Sequence, residues 1–200
     1  ILFMIYPRPL VEIMGDIVTK TGTKVLEQIK AAQLAYKQIK YPEETVSDIQ
    51  SLTYMFGHPK ELIETLKQKD ESPTGKFDKF PVVMLFTDIP EVYTGDSSGY
   101  YAEVTMQIII ANSTSADLTA DEREASNFSI ILQPIYEELM KQIARSGFLV
   151  VENQKAISHT AIPRYFWGRQ GLYGNEGNQF NDFIDAIEIK DLKVKVNNQQ

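Results

Sequence analysis

Residues 162–182, IPRYFWGRQGLYGNEGNQFND, gather side chains that chemistry and recognition both use: Arg164, Arg169, Tyr165, Phe166, the single tryptophan Trp167, Tyr173, and glycines at 168, 171, 174 and 177. Three-residue glycine spacing could cradle a phosphate. The stretch has neither a GK[ST] ending nor a strand feeding directly into a helix N-terminus, so backbone freedom in an exposed loop explains the glycines better. Aromatics beside arginines could also stack on bases, but a stacking platform needs a positively charged groove, and Glu176, Asp182 and Asp185 follow at once. The same residue types form the energetic centres of protein–protein interfaces. The alternation of Tyr165 and Trp167 also suits a strand packed on a core. Core strand, protein interface and nucleic-acid contact therefore all stand as readings of this stretch.

Elsewhere the chemistry is sparse. His58 and His159 are a hundred residues apart, each beside turn residues and without HExxH or HxH spacing, which suits a loop or cap role. GDSSG at 95–99 lacks the strand–turn–helix setting of a nucleophilic serine. Glu137 and Glu138 are consecutive on an expected helix and point about 100° apart, so they cannot serve one substrate atom and instead solvate its outer face. There is no cysteine, hence no disulfide or thiolate site. Asn112-Ser113-Thr114 and Asn127-Phe128-Ser129 match the glycosylation pattern but lack a secretory signal. No catalytic, cofactor-binding or metal-binding residue is expected. A net charge of −7 argues against electrostatic grip on nucleic acid, though not against a surface that DNA slides past.

The elements that must position these residues follow from periodicity. Residues 9–22 place Leu10, Ile13, Met14, Ile17 and Val18 at helical spacing with Gly22 as a stop, and 24–40 is helix-compatible with a weaker pattern. Residues 51–58 suggest a short strand ending at Gly57, and 59–69 a helix with Pro59 in its first turn. The apolar run at 80–88 predicts a strand covered on both faces. Residues 100–112 alternate, with Ala102, Val104, Met106, Ile108 and Ile110 on one face. The eleven residues between those strands, 89–99, are long for a hairpin and hence functional or mobile; they contribute Tyr93 and Asp96 as candidate contacts.

Thr119 and Glu122 form a capping box for a long helix with Phe128, Ile131, Leu132, Ile135, Leu139 and Ile143 in one stripe; Pro134 should kink or split it and Gly147 should end it. FLVVE at 148–152 suggests another strand. In 185–196, Ile187 and Ile189 sit on odd positions but Leu192, Val194 and Val196 on even ones. That parity change requires a β-bulge near Lys190-Asp191. The whole is α+β, a mostly antiparallel sheet packed against helices. Residues 1–50 read as an N-terminal helical segment and 51–200 as the α+β domain, together one compact unit. The opening ILFMI is too short for a membrane span, and no cleavage site follows it.

The succession FDKFPVVMLFTDIPE, GYYAEVTMQIIIANST, LQPIYEELMKQIARSGFLV and PRYFWG…NDFIDAIEIKDLKVKV resembles phage and prophage proteins of gut Bacteroidetes found among tail-assembly genes. The match runs over about residues 51–196. Phe80-Pro81, Tyr100-Tyr101, Pro134-Ile135-Tyr136-Glu137-Glu138 and Asp185-Ala186-Ile187 carry it. The element order is also similar to that of siphovirus tail terminator (tail completion) proteins, a likeness at the level of fold. The resemblance implies a non-enzymatic virion subunit assembled in the host cytoplasm, forming a hexameric ring at the head–tail junction. Such a ring caps the tail tube, meets the head-completion (neck) proteins, and lets DNA pass through its lumen unbound, with no membrane partner. Tyr93, Asp96, Tyr165, Trp167, Arg169, Tyr173 and Glu176 are then the candidate contacts with neighbours. A different neck, stopper or connector protein is the near alternative, and a small nucleotide- or nucleic-acid-handling enzyme the distant one.

Overall fold

The computed structural model describes residues 9–40, 49, 51–71, 79–96, 99–151, 157–167 and 183–197. Its spine is a pair of long antiparallel strands, β4 (Gly99–Thr114) and β7 (Phe183–Asn197). Each is flanked by different strands along its two halves. At one end β2 (Val82–Phe86) pairs with β4 and β1 (Thr53–Gly57) lies parallel to β2, while β6 (Thr160–Arg164) pairs with β7. At the other end β3 (Glu91–Asp96) pairs with β4, and the two-residue β5 (Leu149–Val150) with β7. The β1–β2 pair is the one parallel pairing, joined through α2 (Pro59–Glu71), so the fold is α+β with a mostly antiparallel sheet.

The expected bulge is present and does what parity demanded. Met106 opposes Leu192, and Ile108 opposes Ile189, so Gln107 faces the two residues Lys190-Asp191. Asp191 takes a left-handed φ of 56°, a conformation Asp tolerates better than most residues. Ile187 and Ile189 before the bulge and Leu192, Val194 and Val196 after it consequently reach the same core.

One sheet face is covered throughout by α1 (Leu10–Lys40), a π-helical stretch (Glu124–Leu132) and α4 (Gln133–Arg145). Helix α1 does not stop at Gly22. It runs 31 residues, and its buried line Met14, Val18, Thr21, Gly22, Val25, Ile29 passes straight through that glycine. A Cβ at Gly22 would stand 3.2 Å from the Leu52 Cβ, so glycine here allows a close approach and is not a terminator. Buried Thr21 remains satisfied by donating to the Ile17 carbonyl. The α1 side chains belong to the same core cluster as β4, β7 and α4.

The capping box at Thr119 forms as expected, starting α3 (Ala120–Arg123), which winds into the π stretch; α4 begins one residue before Pro134. The Gln133 N–H reaches back five residues to the Phe128 carbonyl. The proline thus marks a change of winding within a continuous helix rather than a break. The change has a packing consequence. Arg123, Asn127, Ile131, Ile135, Leu139 and Ile143 are four apart and all buried. On an ordinary α-helix such a line drifts by about 40° per step, roughly 200° in all. The wider π winding drifts the other way and brings the line back onto the sheet. Gly147, at φ 74°, ends the helix as anticipated.

The second face is covered at one end only. Leu62 and Leu66 of α2 pack there with Val82, Met84, Ile109, Ala111, Ile184, Ala186 and Trp167. This is why β2 is buried on both faces. At the β3/β5 end, among the described residues, neither core cluster extends over that face.

Two consequences can be measured. Asp191→Gly should change stability by less than about 1 kcal/mol, whereas Asp191→Val, forced into the left-handed region, should lose about 1–2 kcal/mol, read from urea midpoints at constant slope. The Glu122 carboxyl is held below its ordinary range, first by the Thr119 backbone N–H, then by the Thr119 hydroxyl and Lys40. Because its folded pKa is depressed, its contribution is complete above the ordinary glutamate value of about 4.3 and is lost as pH falls through the lower folded value. Glu122→Gln should flatten that part of the acid limb in a pH titration of stability.

Candidate interaction surface

The strand expected to run through Trp167 stops at Arg164. Phe166 adopts φ 52°, which no extended ladder accommodates, and the chain turns at Tyr165-Phe166-Trp167. Each turn residue is held separately. Tyr165 packs on Phe128 with ring centroids 5.0 Å apart, and its hydroxyl donates to Glu124 at 3.1 Å. The Phe166 N–H donates to Asp185 Oδ1 at 3.2 Å, and the Arg123 guanidinium lies 3.5 Å over its ring. The Trp167 N–H donates to the Ile184 carbonyl at 2.7 Å, with the indole in the second core cluster.

Beneath the turn lies a buried polar network. Arg123 and Asp185 are almost fully enclosed, with Nη1 and Oδ1 3.7 Å apart. The rest of the Arg123 fork donates to the Leu118 and Ser115 carbonyls. Asp185 Oδ2 accepts from Asn127, whose own amide oxygen accepts from Asn112 at 2.9 Å. A charge this deep is tolerable only when paired and hydrogen-bonded, and here both conditions hold. The network spans strands β4 and β7, the helix and the turn, so its chemistry is positioning. It also commits the amides of Asn112 and Asn127, both buried, so neither glycosylation pattern is accessible in the folded chain.

A second enclosed carboxylate, Glu188, accepts from Gln107 at 2.9 Å and from Arg164 at 2.8 and 3.0 Å, and pairs with Lys190 at 3.2 Å. It marks the boundary between the covered and open halves of the second face. The histidines have local roles. His58 Nδ1 accepts the Lys60 N–H at the start of α2. His159 donates from Nδ1 to the Ile157 carbonyl and accepts the Tyr136 hydroxyl at Nε2, 2.6 Å away. Burial, followed by the nearby Glu137 charge, raises the Tyr136 pKa. Burial and the Glu124 hydrogen bond do the same to Tyr165. Among the described residues no group of three His, Asp or Glu side chains could hold a metal, and no helix is long and apolar enough to cross a membrane.

The candidate contacts therefore separate. Tyr165 is 42% exposed, at the foot of the turn. Trp167 is 3% exposed and packs in the core, because the left-handed Phe166 turns it under the sheet against Ile184 and Ala186. Tyr93 and Asp96 lie on β3: the stretch expected to be a loop at 89–99 is mostly a strand folded back on β4, with Tyr93 in register with Ala102 and Asp96 with Gly99. Arg169, Tyr173 and Glu176, with most of the 168–183 loop, lie outside the described residues.

The open half-face supplies a feature that residue types did not suggest. A groove of about 550 Å³ crosses it, floored by Glu103, Thr105, Lys193 and Lys195, with Val92 at one rim and Val150 at the other. The available signal was the alternation of Glu103 and Thr105 on β4 with Lys193 and Lys195 on β7, polar where the other end of the same face is apolar. No protein-family model matches the chain, and no curated protein sequence matches it.

Substitutions should separate core from surface. Trp167→Ala is expected to cost about 3–5 kcal/mol and Tyr165→Ala no more than about 1 kcal/mol. Asp185→Ala, which strands the Arg123 charge, should cost about 3–5 kcal/mol. Urea unfolding followed by circular dichroism gives all three.

Proposed function

We propose that this chain is a structural subunit of a tailed-phage head–tail junction, a tail terminator whose copies form a ring, cap the tail tube and meet the neck proteins. The observation that carries the reading is the asymmetry of the sheet. Among the described residues, its β1/β2/β6 end is packed on both faces, whereas its β3/β5 end is packed on one face and presents polar side chains on the other. A wet polar face is ordinary for an antiparallel sheet; what favours an assembly is the exposed apolar Val92 and Val150 at the rims of this one, positions a neighbouring subunit can cover.

Three further points support the same reading. The resemblance to Bacteroidetes phage tail-assembly proteins runs through the strands and the helix that build this sheet. The enclosed Arg123–Asp185 network ties the Tyr165-Phe166-Trp167 turn to β7 and so fixes the chain positions that flank residues 168–182. A net charge of −7 suits a channel through which DNA passes unbound. A stopper or other connector at the same junction would draw on the same surface, and is told apart by whether the purified protein blocks tail-tube growth or binds the portal side. Light scattering and negative-stain microscopy of the purified protein are expected to show rings, six-fold if the subunit is a terminator, with a hole wide enough for a DNA duplex. A compact monomer that binds nucleotide would overturn the reading in favour of an enzyme.

A further inference from the structure

Across the open end of the sheet, cross-strand partners run Val92–Glu103–Lys195–Val150 through β3, β4, β7 and β5. Cross-strand partners share a face, so all four lie on the side away from the helix layer. The middle of the row is closed by Lys195 Nζ on Glu103 at 3.3 Å. Both ends are valines, 59% exposed at Val92 and 47% at Val150. Each of the three pairings is antiparallel, so β3 and β5 run in opposite directions. A second copy laid alongside in the same orientation brings its β5 antiparallel to the first copy's β3. The alternation of the sheet continues across the seam, and Val150 of one copy stands level with Val92 of the other.

The edges differ in how they are guarded. Natural edge strands are blunted by proline, lysine, bulges or brevity. Strand β3, EVYTGD, has six residues with no proline and no lysine, whereas β6 carries Pro163 at its centre and β5 offers only a brief edge of two residues, with the Leu149 N–H donating to Ser146 Oγ at 2.9 Å. Strand β1 is also an edge, but the opposite edge of its row is that proline-bearing β6. Two unlike edges that match in direction and level call for a head-to-tail contact, the kind that closes into a ring when the rotation fits.

We propose that copies of this chain associate by pairing the outer edge of β3 in one copy with the β5 edge of the next, packing Val92 against Val150 across the seam. The choice of a second copy as occupant rests on the ring reading above. The chain contains no cysteine, and opposed β positions are close enough for a disulfide, so engineered cysteines report the contact directly. Under mild oxidation, an equimolar mixture of Val92→Cys and Val150→Cys proteins is expected to give a cross-linked dimer. Neither variant alone should cross-link, and the double variant should give a ladder ending at the closed ring. Val92→Lys should abolish the higher-order species seen by light scattering while leaving the circular dichroism spectrum unchanged. Cross-linking by Val92→Cys alone would overturn the proposal in favour of a symmetric dimer. Rings by light scattering with no cross-link in the mixture would overturn the seam and leave the ring reading standing. A ladder without an upper limit would keep the seam and remove the closed ring. Monomers without cross-links at the highest soluble concentration would overturn both.

Discussion

The register between β4 and β7 is the constraint on which the other elements depend. The two strands pair from Tyr101–Asn197 to Thr114–Phe183, and every other strand attaches to one of them or to β2. Side chains alternate along a strand, so a slip by one residue would turn Ile187, Ile189, Leu192, Val194 and Val196 toward the wrong face. Their spacing in the sequence is itself out of phase, odd before residue 190 and even after it. The extra residue at Lys190-Asp191 reconciles the two halves, at the cost of one left-handed residue. With the register set, Ile184, Ala186 and Glu188 fall on the opposite face. Two are apolar beneath α2, and the third is the first polar position beyond its shelter.

The helix layer solves a matching problem by another route. Positions four apart do not stay on one side of an α-helix, yet every member of the line from Arg123 to Ile143 is buried against the sheet. The π winding absorbs the mismatch. It also places Arg123 and Asn127, the two polar members of the line, over Asp185, the one carboxylate on the inward parity of β7. Replacing such a buried pair by well-packed apolar side chains is often neutral or stabilising, whereas removing one partner is costly. What the pair adds here is direction. Asp185 also accepts from the Phe166 N–H, and Arg123 lies on the Phe166 ring, so a strained turn is tied to both layers at once.

These features were unequally legible in the sequence. Where the decisive interaction is local or periodic, residues alone suffice: the capping box of Thr119 and Glu122, the doubly buried β2, the alternation of β4, the stop at Gly147 and the bulge at Lys190-Asp191 are all statements about neighbours along the chain. Where a distant residue decides, they do not. Gly22 has the look of a helix stop until Leu52 is seen against it. Residues 91–96 mix polar and apolar side chains and contain a glycine, and become a strand because β4 offers them an edge. Trp167 belongs to a stretch rich in interface-type residues, and the left-handed Phe166 that buries it cannot be read from composition. The Asp185–Asn127 bond joins residues 58 apart, although a carboxylate on the inward parity of an apolar strand was a sign that a partner must exist.

The open half-face then follows from sequence economy as much as from topology. Covering both faces of a sheet takes a second layer, and α2 with the indole of Trp167 reaches only the β1/β2/β6 end. Beyond that reach the face must be wettable, and it is: Glu103, Thr105, Lys193 and Lys195 replace the apolar positions, with Glu103 and Lys195 paired across strands. Solubility alone would be served by polar residues at the rims as well. Instead the rims carry Val92 and Val150, the most exposed apolar side chains of the row, at two edges that run in opposite directions and sit at one level. A polar centre with apolar ends is the reverse of an ordinary solvent-facing sheet, where charge concentrates on the edges to repel strand addition.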